Sequence, residues 1–141
     1  MAPPFAQTLP PANEPAVAGG RGWGETNRAG LRRLDAGEIR SALLGRRISY
    51  NPPGWADTGM NEEYREDGAW RGIHLGRGPD NFSGRWRIAN DRLCTTPETG
   101  LYGRREEVCR EIWRDARAGD LLMEHLLGVG RGLMRVTVRS S

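Results

Sequence analysis

The apolar positions of this chain change period once. Between Leu34 and Gly45 they fall at helical spacing, with Ile39, Ala42 and Leu43 on one side. Asp35 stands where an N-cap belongs, and Glu38 follows three residues on, a capping-box pattern with Asp in place of Ser or Thr. Leu34 and Ile39 flank it as a hydrophobic staple, and Gly45 supplies a left-handed stop. The spacing predicts one short amphipathic helix over 36–44. Too short to stand alone, it must lie on whatever follows.

Beyond Gly45 the period is two. Strands are expected over 47–50, 62–66, 69–75, 82–88, 92–94, 108–113, 121–127 and 133–138. Phe82, Gly84, Trp86 and Ile88 face one way, and Ser83, Arg85 and Arg87 the other. In the last strand Met134, Val136 and Val138 face in. Asp67-Gly68 reads as a two-residue hairpin turn, Asn90-Asp91 as another turn, and 95–105 as a polar loop. At 108–113 the pattern is ambiguous: Val108 and Ile112 share one face, Cys109 and Trp113 the other, so both faces are covered or a bulge intervenes. A helix over 107–117 is the alternative there, since Glu106, Arg110, Trp113 and Arg117 suit helical pairing.

Short strands joined by local turns predict a mainly β fold. It is an antiparallel meander that closes into a small up-and-down, lipocalin-like barrel or stays a strongly curved sheet, with one short N-terminal helix. Closure would remove the edge strands, and the helix would plug one end or pack on the wall. Residues 1–30, with five prolines and five glycines after Met1 and no apolar period, read as a disordered leader. Residues 31–141 then form one domain. Trp23 is the one leader residue able to dock on it.

Composition adds limits more than chemistry. All 21 basic residues are arginine, and the net charge is +3. Acidic residues alternate with them, as in Arg104-Arg105-Glu106-Glu107, so no block reads as a nucleic-acid tail and no specific nucleic acid is expected. No segment is long and apolar enough for a membrane span. No apolar run follows Met1, so an export signal is absent from this chain; residues 1–7 read as a mature N-terminus with an added methionine, or as a cytoplasmic start.

Cys94 and Cys109 adjoin neighbouring predicted strands. They fit a disulfide, with two buried thiols as the alternative; no metal is expected, because no Cys or His lies at ligand spacing from either. His74 and His125 each stand alone on a strand. With Glu124 or Asp80 they would make a metal site or an acid–base pair only if the fold joins them. Adjacent carboxylates such as Glu62-Glu63 point to opposite faces, but Glu62 and Tyr64 share one, as do Trp70 and His74, and these line a pocket or a wet exterior. Trp86 and Trp113 are expected in the core. Trp55, beside Pro52-Pro53-Gly54, is the better candidate for a ligand or partner contact. No phosphate loop or serine-nucleophile motif occurs, and no cofactor is implied.

The succession Glu62-x-Tyr64, Asp67-Gly68-x-Trp70, Gly84-x-Trp86-x-Ile88, Leu93-Cys94 and Cys109-x-x-x-Trp113 resembles small exported proteobacterial β-meander domains of unknown function. The resemblance spans about residues 34–138. It implies export and a bridged β fold, and it carries no catalytic residues. The expectation is therefore a non-enzymatic periplasmic or secreted binding domain. Its partner is a protein, bound in an inhibitor-like way through Trp55, Tyr64 and Arg71 with Arg85 and Arg87 as an exposed basic stripe. The alternative is a lipocalin-like carrier of a small apolar or anionic ligand. An enzyme using His74 or His125 is the third possibility. A filled interior favours the first, and a measurable cavity favours the carrier.

Overall fold

The structure, a computed structural model, describes residues 28–51, 59–75, 79–125 and 132–140. Trp23 and Trp55 lie outside the described residues. Strands β1 (Leu31–Arg33), β2 (Arg46–Tyr50), β3 (Gly59–Tyr64), β4 (Ala69–Leu75), β5 (Pro79–Ala89), β6 (Arg92–Thr99), β7 (Val108–Arg110), β8 (Ile112–Asp115), β9 (Leu121–Glu124) and β10 (Leu133–Ser140) form one antiparallel sheet; helix α1 (Ala36–Leu43) follows β1. The spatial order is β1-β8-β9-β10-β2-β3-β4-β5-β6-β7.

That order curls the sheet on itself. From β2 to β7 each strand pairs with the next in sequence, and β8, β9 and β10 continue the meander until β10 pairs with β2. Only Glu111 separates β7 from β8. The first half of segment 108–115 pairs with β6 and the second half with β9, so this segment joins the two ends of the meander. β1 is an addition outside the circuit, bonded to β8. The curled up-and-down sheet is the architecture expected from the period-two pattern.

Segment 108–115 is strand, not helix. Its ambiguous pattern has a simple cause: Val108, Arg110 and Ile112 turn inward while Cys109, Glu111 and Trp113 turn outward, and side chains from β1 and the preceding chain cover part of the outer face. Trp113 is accordingly half-buried, with the Arg28 guanidinium 4.9 Å from its ring centroid, and is not a core residue as expected. Leu122, its partner across β9, is fully buried.

Three local expectations need revision. β6 runs on to Thr99, where a polar loop was expected; Thr95 and Pro97 pair with Trp86 and Gly84 of β5 and turn inward. β3 begins at Gly59 and ends at Tyr64. The β3–β4 connection is not a two-residue turn. Arg65 and Ala69 are bonded (Arg65 N to Ala69 O, 2.9 Å), and Gly68 takes φ 89°, which is the three-residue hairpin with a left-handed last residue. By contrast Asn90 and Asp91, at φ 53° and 54°, form the mirror-image two-residue turn.

Helix α1 closes one end of the curl. Its capping box is complete: Asp35 accepts from Glu38 N at 2.9 Å, and Glu38 accepts from Asp35 N at 3.0 Å. Its start is held to the β5–β6 turn, where Asp91 accepts from Ala36 N at 2.8 Å. Its end is held to β3, where Gly45 N donates to Tyr64 O at 2.8 Å. Ile39 and Leu43 are fully buried in the core with Trp86 and Leu93, each worth about 1.5–3 kcal/mol. Trp86 is a core residue as expected, its indole N–H donating to Arg65 O at 2.8 Å. No helix of the described residues is long and apolar enough to cross a membrane.

Candidate functional site

At the end of the curl away from α1 the concave face encloses a cavity of about 160 Å³. It is built from inward positions at the open ends of the strands. β2 and β3 contribute Tyr50, Met60 and Glu62; β4 contributes Trp70 and His74. β6 and β7 add Thr95, Pro97, Val108 and Arg110, and Met134 and His125 come from the β9–β10 side. Leu101 and Tyr102 form the rim, and the exposed Arg104 and Glu106 stand beside them with opposite charge.

The polar floor is organised by Glu62, which is 1% exposed. Its Oε2 accepts from the Tyr50 hydroxyl. Its Oε1 accepts from the Tyr64 hydroxyl and from the Trp70 indole N–H, the latter at 3.0 Å. Arg110 supplies the opposite charge next to them. A buried carboxylate is tolerable only when its oxygens are bonded and its charge is balanced, and both conditions are met here. Burial, and the Glu62 charge beside them, push both phenols well above their ordinary value of 10.0. Burial works against the Arg110 charge, but Tyr50, Glu62 and Tyr64 outweigh it and the guanidinium is held cationic. The Arg110 Nε is buried and has no hydrogen-bond partner among the described residues.

The rim is set by a strained turn. Leu101 and Tyr102 both adopt positive φ, at 52° and 56°, which non-glycine residues rarely take. Asp80 holds the turn by accepting from Leu101 N at 2.7 Å. The turn lays Tyr102 edge-on against His74, with ring centroids 5.9 Å apart.

The two histidines, isolated in sequence, therefore meet the same cavity; both are buried. Of their suggested carboxylate companions, Asp80 stands opposite His74 in the β4–β5 register, and both Asp80 and Glu124 accept a backbone N–H, Asp80 from Leu101 and Glu124 from Glu111 at 3.1 Å. Among the described residues the one cluster of three ligand-type side chains is Cys94, Glu107 and Cys109. Both of its sulfurs are used in the Cys94–Cys109 disulfide, which stands on the outer face.

The sequence-based contact residues do not gather at one place. Tyr64 is 0% exposed and sits behind Glu62, inside the fold and not on its surface. Arg71 is on the outer face, 3.2 Å from Glu63. Arg85 and Arg87 are exposed as expected, but Arg85 donates to Asp67 O and Arg87 makes a two-pronged pair with Glu107 at 2.6 and 2.8 Å. Tyr50, Arg110 and Met134 were not anticipated as site residues. The available signal was the shared face of Glu62 with Tyr64 and of Trp70 with His74, which β3–β4 pairing turns into one surface. No family model, curated protein or solved structure matches the chain.

Proposed function

We propose that this domain is a non-enzymatic binding protein that holds a small ligand in the cavity of its curled sheet. The observation that carries this reading is the cavity itself. It is partly apolar, opens at one end, and has a few fixed polar groups at its floor, the usual composition of a small-molecule site. Its volume suits a ligand about the size of benzene, which fills a cavity of about 150 Å³. A protein-partner role through Arg71, Arg85 and Arg87 has less support, because each is engaged by an acceptor within the domain itself. The disulfide supports work in an oxidising compartment, periplasmic or extracellular.

A fragment screen read by amide NMR tests this. Compounds of up to about ten non-hydrogen atoms should shift resonances of Met60, His74, Thr95, Val108 and Met134 together. Substituting Val108→Phe should fill the space and abolish those shifts while leaving the rest of the spectrum in place. Shifts confined to the outer arginines would favour the partner-binding reading instead.

A further inference from the structure

The charges that line the cavity do not serve the same purpose. Glu62 is already satisfied, since its two oxygens accept three bonds that spread its charge over two phenols and an indole. Arg104 and Glu106 are exposed at the rim and offset each other. His74 and His125 are neutral or cationic in any ordinary protonation state, so they add no negative charge. Arg110 is different. It lines the cavity with a buried Nε that no described residue accepts from. A guanidinium presents five donors in a rigid fork, and a carboxylate engages two of them at once, side-on through Nε. An unfilled buried donor is costly, and a ligand acceptor removes that cost. The rest of the wall is apolar and aromatic: Met60, Trp70, Val108 and Met134 face the same space.

Resting on the small-ligand reading above, we infer that the cavity takes a small organic carboxylate of about six to nine non-hydrogen atoms, its carboxylate on the Arg110 fork and its apolar or aromatic body against Met60, Trp70, Val108 and Met134. Glu62 keeps its three donors, Tyr50, Tyr64 and Trp70, so the ligand's single negative charge falls to the Arg110 fork. A dianion would place its second charge against the Glu62 cluster, and an ammonium would meet the guanidinium. Thr95 and the histidines stand where substituents of the body can be bonded.

The test uses the intact, oxidised protein and three probes of similar size: benzoate, benzyl alcohol and benzylamine. Each is titrated near pH 7 and followed by amide and indole NMR, with Trp70 as the reporter. Benzoate should bind at least tenfold more tightly than either of the others. In Arg110→Lys, which keeps a cation beside Glu62 but has no fork, benzoate should weaken at least tenfold and benzyl alcohol less than twofold. Equal binding of benzoate and benzyl alcohol in the natural protein overturns the carboxylate assignment and leaves the small-ligand reading standing. So does an unchanged ratio in Arg110→Lys. Should that variant fail to fold, the ranking of the three probes on the natural protein decides alone. If none of the three probes binds and no neutral fragment of the same size shifts the cavity resonances, the small-ligand reading falls and the inference with it.

Discussion

At Glu62 a single residue sets both the stability of the interior and the character of the cavity. It is a fully buried carboxylate holding Tyr50, Tyr64 and Trp70, with Arg110 as its counter-charge. Glu62→Gln keeps the shape but turns an amide N–H₂ toward groups that are themselves donors, and it leaves Arg110 unbalanced. Breaking a buried pair in this way costs about 3–5 kcal/mol, to be read as a fall in the urea midpoint at constant slope. The tyrosines give a pH signature. Their folded-state values lie well above 10.0, so the folded state holds the phenolic protons more tightly than the unfolded chain does. Their contribution to stability is complete below pH 10 and is lost as pH rises through the folded-state values. Thermal midpoints should therefore drop from pH 10 upward, while tyrosinate absorbance stays below that of the unfolded chain until the fold gives way. Tyr50→Phe should flatten the drop. This residue-scale chemistry was half legible in the sequence. The common face of Glu62 and Tyr64 follows from strand alternation, but Tyr50 and Arg110 arrive from strands whose registers no local pattern specifies.

Elements were more readable than residues, and the exceptions share a cause. The helix, its capping box and the clean alternation of β5 and β10 are local signals, and the structure realises them. β1 has three residues and no apolar period of its own, so only its pairing with β8 makes it a strand. The second half of β6 looked like a loop because Thr95, Thr96 and Pro97 are polar or lack a donor, yet β5 is long enough to pair with it. Close contact between strands leads to one prediction. A Cβ on Gly72 would collide with the Asn61 carbonyl oxygen and stand 2.7 Å from the Phe82 ring, so the neighbouring backbone would have to move. Gly72→Ala should cost about 3 kcal/mol, measured by denaturant unfolding, whereas alanine at Gly37, whose nearest neighbour would be 3.6 Å away, should be close to neutral or stabilising. β7 gives another. It is three residues long, pairs only with β6, and carries Arg110 beside the bridged Cys109. The bridge spans a sequence separation of 15, and its removal should cost about 3 kcal/mol on the loop-entropy account. Because Val108 and Arg110 flank Cys109 and line the cavity, Cys94→Ser with Cys109→Ser should also weaken any ligand that uses Arg110. Binding measured well below the melting transition separates that effect from simple unfolding.

For the molecule as a whole, the decisive place is the β7–β8 junction, where one segment joins the two ends of the sheet. β7 passes into β8 through one residue, and that residue's carboxylate faces outward into a group of arginines. Arg33, Arg92 and Arg28 approach Glu111 at 3.5, 3.6 and 3.7 Å, and the Trp113 indole N–H donates to it at 3.1 Å. Arg33 belongs to β1, Arg92 to β6 and Arg28 to the segment just before β1, so one anion ties the outer strand and both halves of the junction together. The Glu111 backbone contributes as well, donating to Glu124 and accepting from its amide at 3.0 Å. Isolated surface ion pairs contribute little, but this carboxylate is only 17% exposed and is shared by several cations, the situation in which a pair network becomes measurable. Glu111→Gln should cost about 1–2 kcal/mol and speed hydrogen exchange in β7 and β8 before other strands. The exposed Arg71–Glu63 pair is the internal comparison, and Arg71→Ala should change stability by less than about 0.5 kcal/mol. Removing Glu111 leaves neighbouring cations without their shared anion, so added salt should narrow the gap between Glu111→Gln and the natural protein. If Glu111→Gln matches Arg71→Ala in cost, or exchange rises evenly over all strands, the junction is held by the backbone ladder and the disulfide alone. A selective loosening at β7 would instead open the wall that carries Val108 and Arg110, and the cavity would depend on an anion outside it.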